Sequence, residues 1–239
     1  MLTSGLSIEW TRQPDEIRLA QALRFKVFSE DFSPVFPHAQ EGLDKDPFDD
    51  VCDHLLIKEK ATQLVVGTYR VISPTAACLI GHAYCESIFD LSPLALLKSK
   101  VVEIDRSCID KRYRNGSTIL LMWKRIYQYM LTHQYEYIMG CSSVSLTDKG
   151  PAAAGLLHKL VSQGHYSTEH QFRAKSPVDL TGITPSKNVS VPAILKGYLS
   201  VGAKVCSEPG FDPLFNSADF LTILKLSDMN QLFVQRFSR

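Results

Sequence analysis

The chain has 239 residues, 45% of them hydrophobic and 21% charged, the balance of a folded chain with a sizeable core rather than of a disordered or low-complexity one. Its formal net charge of +1 leaves no global field to draw nucleic acid. The start of the chain lacks a basic segment followed by an apolar run, and no window approaches the ~18 apolar residues of a membrane span, so a cytoplasmic protein folded as one domain over 1–239 is expected.

The first expected element is a strand over Leu6 to Thr11, after which Pro14, Asp15 and Glu16 open a helix with acidic residues in its first turn. Ile17, Ala20, Leu23, Arg24, Val27 and Phe28 follow the 3.6 period, and the helix must end before Pro34. Ser33 to Asp50 is rich in proline and aspartate and reads as a long loop, of the kind that is usually functional. His54 to Lys58 and Gln63 to Ile72 read as a hairpin turning near Lys60 and Ala61, and Val101 to Ile109 as a fourth strand. Past Asn115, the residues Ile119, Leu120, Trp123, Ile126, Tyr127, Met130 and Leu131 mark an amphipathic helix. A strand over Tyr137 to Ser145, a helix over Pro151 to Val161, a helix from Pro192 to Val201 with proline in its first turn, and a last strand over Phe220 to Leu226 complete the chain. This order is an α+β pattern with local βα units.

The six cysteines, Cys52, Cys78, Cys85, Cys108, Cys141 and Cys206, stand at uneven intervals without a Cys-x-x-Cys pair, which argues against a disulfide framework and a zinc ribbon. Cys52 with His54 lacks the further ligands of a metal centre, so no metal is expected. There is no Gly-x-Ser-x-Gly elbow, and no histidine is followed five residues on by aspartate. The informative unit is the strand, basic turn and helix between Val101 and Leu131. Free amides at a helix start make a seat for phosphate, Asn115 and Gly116 permit close approach, and Arg112 and Arg114 add charge. The glycines and lysine of a P-loop or dinucleotide fingerprint are absent.

This turn follows Glu103-Ile104-Asp105-Arg106-Ser107-Cys108 and resembles the pantetheine-binding segment of the GNAT acyltransferases. Their pattern is met only approximately by Tyr113 to Thr118, which sets the chain apart from the acetyl-CoA branch. Arg24 to Phe28, Asp46-Pro47-Phe48-Asp49, Gly67-Thr68-Tyr69-Arg70, and Glu103 with Arg106 resemble the acyl-homoserine-lactone synthases. Cys52 to Leu56, Arg106-Ser107-Cys108, Tyr113 to Gly116, Gly140 to Ser143, Lys196-Gly197-Tyr198 and Phe215 to Asp219 are more similar to the ornithine N-acyltransferases, which make lyso-ornithine lipid from 3-hydroxyacyl carrier protein. The similarity runs from about residue 8 to 226.

What this implies is a GNAT-like fold, a mixed and mostly antiparallel sheet flanked by helices, and acyl transfer from a carrier-protein thioester to ornithine. No separate cofactor is implied, because the phosphopantetheine belongs to the donor protein. Amide formation of this kind needs a neutral amine, a stabilised oxyanion and close positioning of the reactants. The resemblance makes Glu103 the general base, with a structural ion pair to Arg106 or Arg24 as the competing role.

Arg24, Arg70 and Arg106 with Asp46 and Asp49 form a set able to grip a zwitterionic amino acid, or to pin the long loop to the sheet. The donor arm is expected against Tyr113, Arg114, Asn115, Gly116, Ser117 and Thr118, with Cys141 and Ser142 on the following strand. Lys111, Arg112, Lys124 and Arg125, with Arg114, would dock an acidic carrier protein. Peripheral contact with the inner membrane fits a lipid-like product. An acyl-homoserine-lactone or other N-acyl amino acid synthase, and a non-enzymatic, haemolysin-like acyl-binding protein, are the alternatives.

Overall fold

The computed structural model of the chain describes residues 5–32 and 34–237. Ser33, the first residue of the expected loop, and the chain's first four residues lie outside these. Strand β1 (Leu6–Thr11) leads into α1 (Pro14–Asp31), which carries proline at its start and Asp15 and Glu16 in its first turn, as the pattern requires. The loop that follows is pinned by two short 3-10 turns, Ala39–Glu41 and Pro47–Asp50. β2 (Asp53–Glu59) and β3 (Val65–Ile72) form the expected hairpin.

Residues 73–100, for which the sequence pattern made no assignment, fold as α2 (Pro74–Ile80), α3 (Cys85–Ile88), the short strand β4 (Phe89–Asp90) and a 3-10 stretch over Ser92–Lys100. β5 (Val101–Ile109) is followed by the 3-10 turn Lys111–Tyr113 and α4 (Gly116–His133). Then come β6 (Tyr137–Ser145), α5 (Pro151–Ser162), β7 (Arg173–Ala174), α6 (Ala193–Val201), β8 (Lys204–Val205), β9 (Gly210–Asp212), β10 (Ser217–Lys225) and α7 (Gln231–Phe237). Pro192 is the N-cap of α6 rather than part of its first turn. The last long strand starts and ends earlier than its apolar run suggests, leaving Leu226 in a 3-10 turn.

The sheet runs β1-β2-β3-β5-β6-β10-β8, with β9 added beside β10. Among these pairs only β5 and β6 are parallel, so the fold is α+β with a mixed, mostly antiparallel sheet. Strand alternation divides the residues between two faces. Tyr69, Val71, Val102 and Ile104 pack with Met122, Trp123, Ile126 and Met130 of α4 and with Leu195 and Tyr198 of α6. On the opposite face α1 and Phe215 cover Leu56, Val65 and Cys108, while α3 and the 3-10 stretch cover Val101, Met139 and Leu221. Among the described residues no helix is long and apolar enough to cross a membrane.

Two departures from a regular sheet create the site. The β5 and β6 ladder is paired only over Val101 to Glu103 against Tyr137 to Met139, and beyond that point the strands part. On β5, Asp105 faces Arg70 and Cys108 faces Thr68, so one residue too many lies between them. This is a β-bulge, and Arg106 within it has φ of 47°, the left-handed region that non-glycine residues seldom occupy.

Candidate active site

Alternation puts His54, Arg70, Glu103 and Asp105 on the face covered by α1 and the long loop. There they meet Arg24 of α1 and Asp44, Asp46 and Asp49 of the loop. Arg24 donates to both oxygens of Asp49, at 2.9 and 2.8 Å, and to the Asp44 carbonyl. Its Nε lies 2.9 Å from an Asp44 carboxylate oxygen but off the hydrogen-bonding direction. Arg70 makes forked contacts with Asp46 and with Asp105 and a further bond to Asp49.

Both arginine side chains are 0% exposed. The expectation that they grip an acceptor directly therefore changes: protein carboxylates occupy them, and no surface is left for a ligand. Burial opposes ionisation of Asp49, yet Arg24 and Arg70 hold its carboxyl far below the ordinary range. Asp46 and Asp49 also cap the Pro47–Asp50 turn reciprocally, so the acids expected to bind ammonium instead fasten the loop. His54 is buried with Nε2 3.0 Å from the Asp49 carbonyl oxygen, and burial lowers its pKa, the behaviour of a core histidine.

Arg106 differs, because it reaches a cavity. Its guanidinium lies between the rings of Tyr84, 4.6 Å away, and Phe215, 5.0 Å away, with Nη2 3.2 Å from Asp46. The cavity, of about 300 Å³, occupies the gap between β5 and β6. Its outer part is lined by Asp31, Phe32, Arg114, Ile119 and Pro192, and its inner part by Glu103, Arg106, Cys141, Ser142, Asp212 and Asp219. Of the residues assigned to the donor arm, Arg114, Cys141 and Ser142 line it. Tyr113, Asn115, Gly116, Ser117 and Thr118 do not: Asn115 caps α4 by accepting from the Thr118 amide at 3.0 Å, and Gly116 and Ser117 are exposed.

Glu103 is 2% exposed and accepts from the Cys85 amide at 3.0 and 3.2 Å. Burial, reinforced by the neighbouring Asp105 charge, raises its pKa to about 8. It also forms part of the wall of a second, mostly apolar cavity of about 410 Å³, lined by Ile72, Ala77, Leu91, Leu94, Val101 and Met139. A carboxyl that takes up and releases a proton near neutrality, at the junction of an open cleft and an apolar chamber, is suited to general base work.

The basic residues assigned to docking separate into two groups. Lys111 and Arg112 are exposed beside the start of α4, each next to an acid: Lys111 with Glu30 at 3.1 Å and Arg112 with Asp110 at 3.0 Å. Arg114 is paired with Asp31. Lys124 and Arg125 are half-buried roughly two turns further along α4, where Arg125 donates to the Ile8 carbonyl of β1. The structure does not bring these five charges into one patch.

Tyr84, Asp212 and Asp219 were given no site role by the sequence pattern, and Tyr198 only a contact with donor or product implied by the resemblance of Lys196-Gly197-Tyr198; all four line the first cavity. Tyr84 lies in the unassigned segment and Asp212 on a three-residue strand, so neither carried a signal. Asp219 and Tyr198 do fall within quoted motifs. Tyr198 packs edge-on against Trp123 and its hydroxyl lies 3.4 Å from the Ile104 carbonyl. A Cβ at Gly197 would come within 3.0 Å of the Trp123 indole nitrogen, which accounts for glycine in Lys196-Gly197-Tyr198.

Residues 23–124 match the family model described as an acetyltransferase (GNAT) domain. The fold is also that of FeeM, an N-acyl amino acid synthase from uncultured soil microbes, at TM-score 0.53 and 8% identity over 93% of this chain and 91% of that one. The parted β5 and β6, the bulged β5 and the buried carboxyl at the fork thus sit in a fold of GNAT type, and the matched residues include β5 with Glu103. Over almost its whole length the chain is a relative of the L-ornithine N(alpha)-acyltransferases. It is 29% identical to that of Rhodobacter capsulatus across 97% of this chain and 94% of the relative, and 27% identical to that of Agrobacterium fabrum across 97% and 85%.

Proposed function

We propose that this chain acylates the α-amino group of ornithine, using an acyl thioester carried on the phosphopantetheine of acyl carrier protein, to form lyso-ornithine lipid. The observation that carries the reading is the position of Glu103, whose carboxyl is shared by the walls of the two cavities. The outer part of the first cavity, beside Arg114 and the start of α4, receives the pantetheine arm and brings the thioester to the fork between β5 and β6. The apolar second cavity takes the acyl chain. Burying such a chain there supplies about 0.8 kcal/mol per methylene.

In the reaction the neutral α-amine nitrogen attacks the thioester carbonyl carbon, and its N–H proton passes to the Glu103 carboxylate directly or through water. The carbon–sulfur bond then breaks, the thiolate takes up a proton, and the products are an amide and the free carrier thiol. No separate cofactor takes part. Burial of Glu103 serves this step, because a carboxyl raised to about 8 is a stronger base than an ordinary glutamate,. Lys111 and Arg112 offer the carrier protein a basic approach near the cleft mouth, and Arg24, Arg70, Asp46 and Asp49 hold Arg106 and the loop in place around the acceptor. The amphiphilic product fits peripheral contact with a membrane.

The test is turnover with a 3-hydroxyacyl carrier protein and ornithine, following thiol release and the mass of the product. Release of one thiol per N-acylornithine is expected. Enzyme that binds the donor yet releases no thiol above background would sink the reading and leave an acyl-binding protein.

A further inference from the structure

Among the described residues Asp44, Asp49, Glu103, Asp212 and Asp219 are buried on this side of the sheet, with Asp46 and Asp105 half-buried beside them. Asp44, Asp46, Asp49 and Asp105 are each within 4 Å of an arginine, and Glu103 is held by a backbone amide. Asp212 and Asp219 are each 2% exposed, and among the described residues neither forms an ion pair within 4 Å, although Arg106 in the same cavity acts on Asp219 as a neighbouring charge. Asp212 accepts from the Tyr84 hydroxyl at 2.7 Å and from the Leu214 and Phe215 amides at 2.8 and 3.4 Å. Asp219 accepts from the Ser217 hydroxyl at 2.8 Å.

Register explains their convergence. Asp212 on β9 faces Ser217 on β10, two residues before Asp219, so the two acids are diagonal neighbours on one face of the sheet. Both line the first cavity, along with Glu103 and Arg106. Two buried like charges without an ion-pair partner are costly, and burial with the Asp212 charge pushes Asp219 up to about 7 against the opposing influence of its hydroxyl partners and Arg106. A cation entering this part of the cavity would remove that cost. The acceptor in the reading above brings one: besides the α-amine that must face Glu103, ornithine carries a second ammonium three methylenes away.

We infer that Asp212 and Asp219 bind the side-chain ammonium of a diamino acid acceptor and make the site prefer it to neutral amino acids, an inference that rests on the acyltransferase reading of this cavity. Tyr84 positions Asp212 through its hydroxyl while its ring stacks on Arg106, so one side chain links the two ends of the acceptor pocket.

The test compares ornithine with norvaline, which has the same carbon chain and no second amine, on wild type, Asp219→Asn and Asp212→Asn with one acyl carrier protein donor. Asparagine removes the charge in each case; at Asp219 its oxygen keeps the Ser217 bond, and at Asp212 its oxygen keeps the Leu214 and Phe215 amide bonds while its amide nitrogen donates to the Tyr84 hydroxyl oxygen, which no longer donates to it. The ornithine to norvaline ratio of kcat/KM should fall about 10- to 150-fold, the range for losing one charge-assisted hydrogen bond. The ratio is taken within one preparation, so loss of folded enzyme cancels.

A ratio unchanged in both variants, or a wild type that favours norvaline, overturns the inference and leaves the acyltransferase reading intact. Calorimetric titration of ornithine and norvaline without donor separates the two ideas. Ornithine binding that is lost in the variants, in an enzyme that acylates neither amine, would support the pair and refute the reaction. Wild type that neither binds ornithine nor acylates it refutes both.

Discussion

Replacing Arg70 with methionine removes the cation shared by three carboxylates. In the native protein its side chain, 0% exposed, forks onto Asp46 and Asp105 and bonds Asp49. The variant leaves Asp105 without its arginine, and Asp46 and Asp49 with only Arg106 and Arg24. Breaking a buried pair on one side costs about 3–5 kcal/mol, which for a chain of this size lowers Tm by about 6–20 °C. Urea or thermal unfolding reads the loss.

The pH dependence has a definite sign. Asp49 ionises far below its ordinary range in the fold, so its contribution is present above the unfolded pKa and lost as pH falls through the folded one. The gap between wild type and Arg70→Met should therefore narrow progressively below about pH 4. A variant within about 1 kcal/mol of wild type at pH 7 would refute the argument that this network fastens the long loop to the sheet.

Two further outcomes follow from the donor side. At Gly116 an added Cβ meets nothing within 4 Å, so Gly116→Val should fold normally; under the proposed reading, in which the donor arm enters beside the start of α4, the bulkier side chain should raise the donor KM by about tenfold or more while the acceptor KM stays near wild type, and equal effects on both would place the donor phosphate elsewhere. Reversing Lys111 and Arg112 to glutamate should slow association with acyl carrier protein by about tenfold at low salt and flatten its salt dependence, and stopped-flow rates unchanged across ionic strength would remove this face from docking.

Much of the frame was legible in the sequence because it depends on local pattern. β1 and β6 carry the expected bounds, and α1 and α4 follow from proline, acidic first-turn residues and apolar spacing. The strand that carries Glu103 and Arg106 was legible as well, with the expected bounds Val101–Ile109. Part of what was hidden arises from pairing between distant segments. The β5 bulge and the parting of β5 from β6 are properties of such register, whereas Asp212 and Asp219, only seven residues apart, were hidden because β9 is three residues long and carries no strand signal of its own. Arg24 and Arg70 show the complementary difficulty: arginine and aspartate in a loop and a strand suit ligand binding and loop fastening equally, and only their complete burial decides between the two. Residues 73–100 mix short helix, 3-10 and strand in runs too brief for periodicity to register.

The central claim is that Glu103 takes the proton from the attacking amine at the fork of the two cavities. Its most direct test is the pH profile of single-turnover N-acylornithine formation by wild type and Glu103→Gln at saturating acyl carrier protein donor. With its carboxyl raised to about 8 by burial and the Asp105 charge, wild type should gain rate as pH rises through that value, where the carboxylate becomes available. Glu103→Gln should fall by ~10²-fold or more near neutral pH and keep only the rise that comes from deprotonation of the free amine, without the limb near 8, with donor affinity near wild type. A variant that keeps both the limb and the rate, or that loses donor affinity with its rate intact, would contradict the account and assign Glu103 to holding α3 through the Cys85 amide.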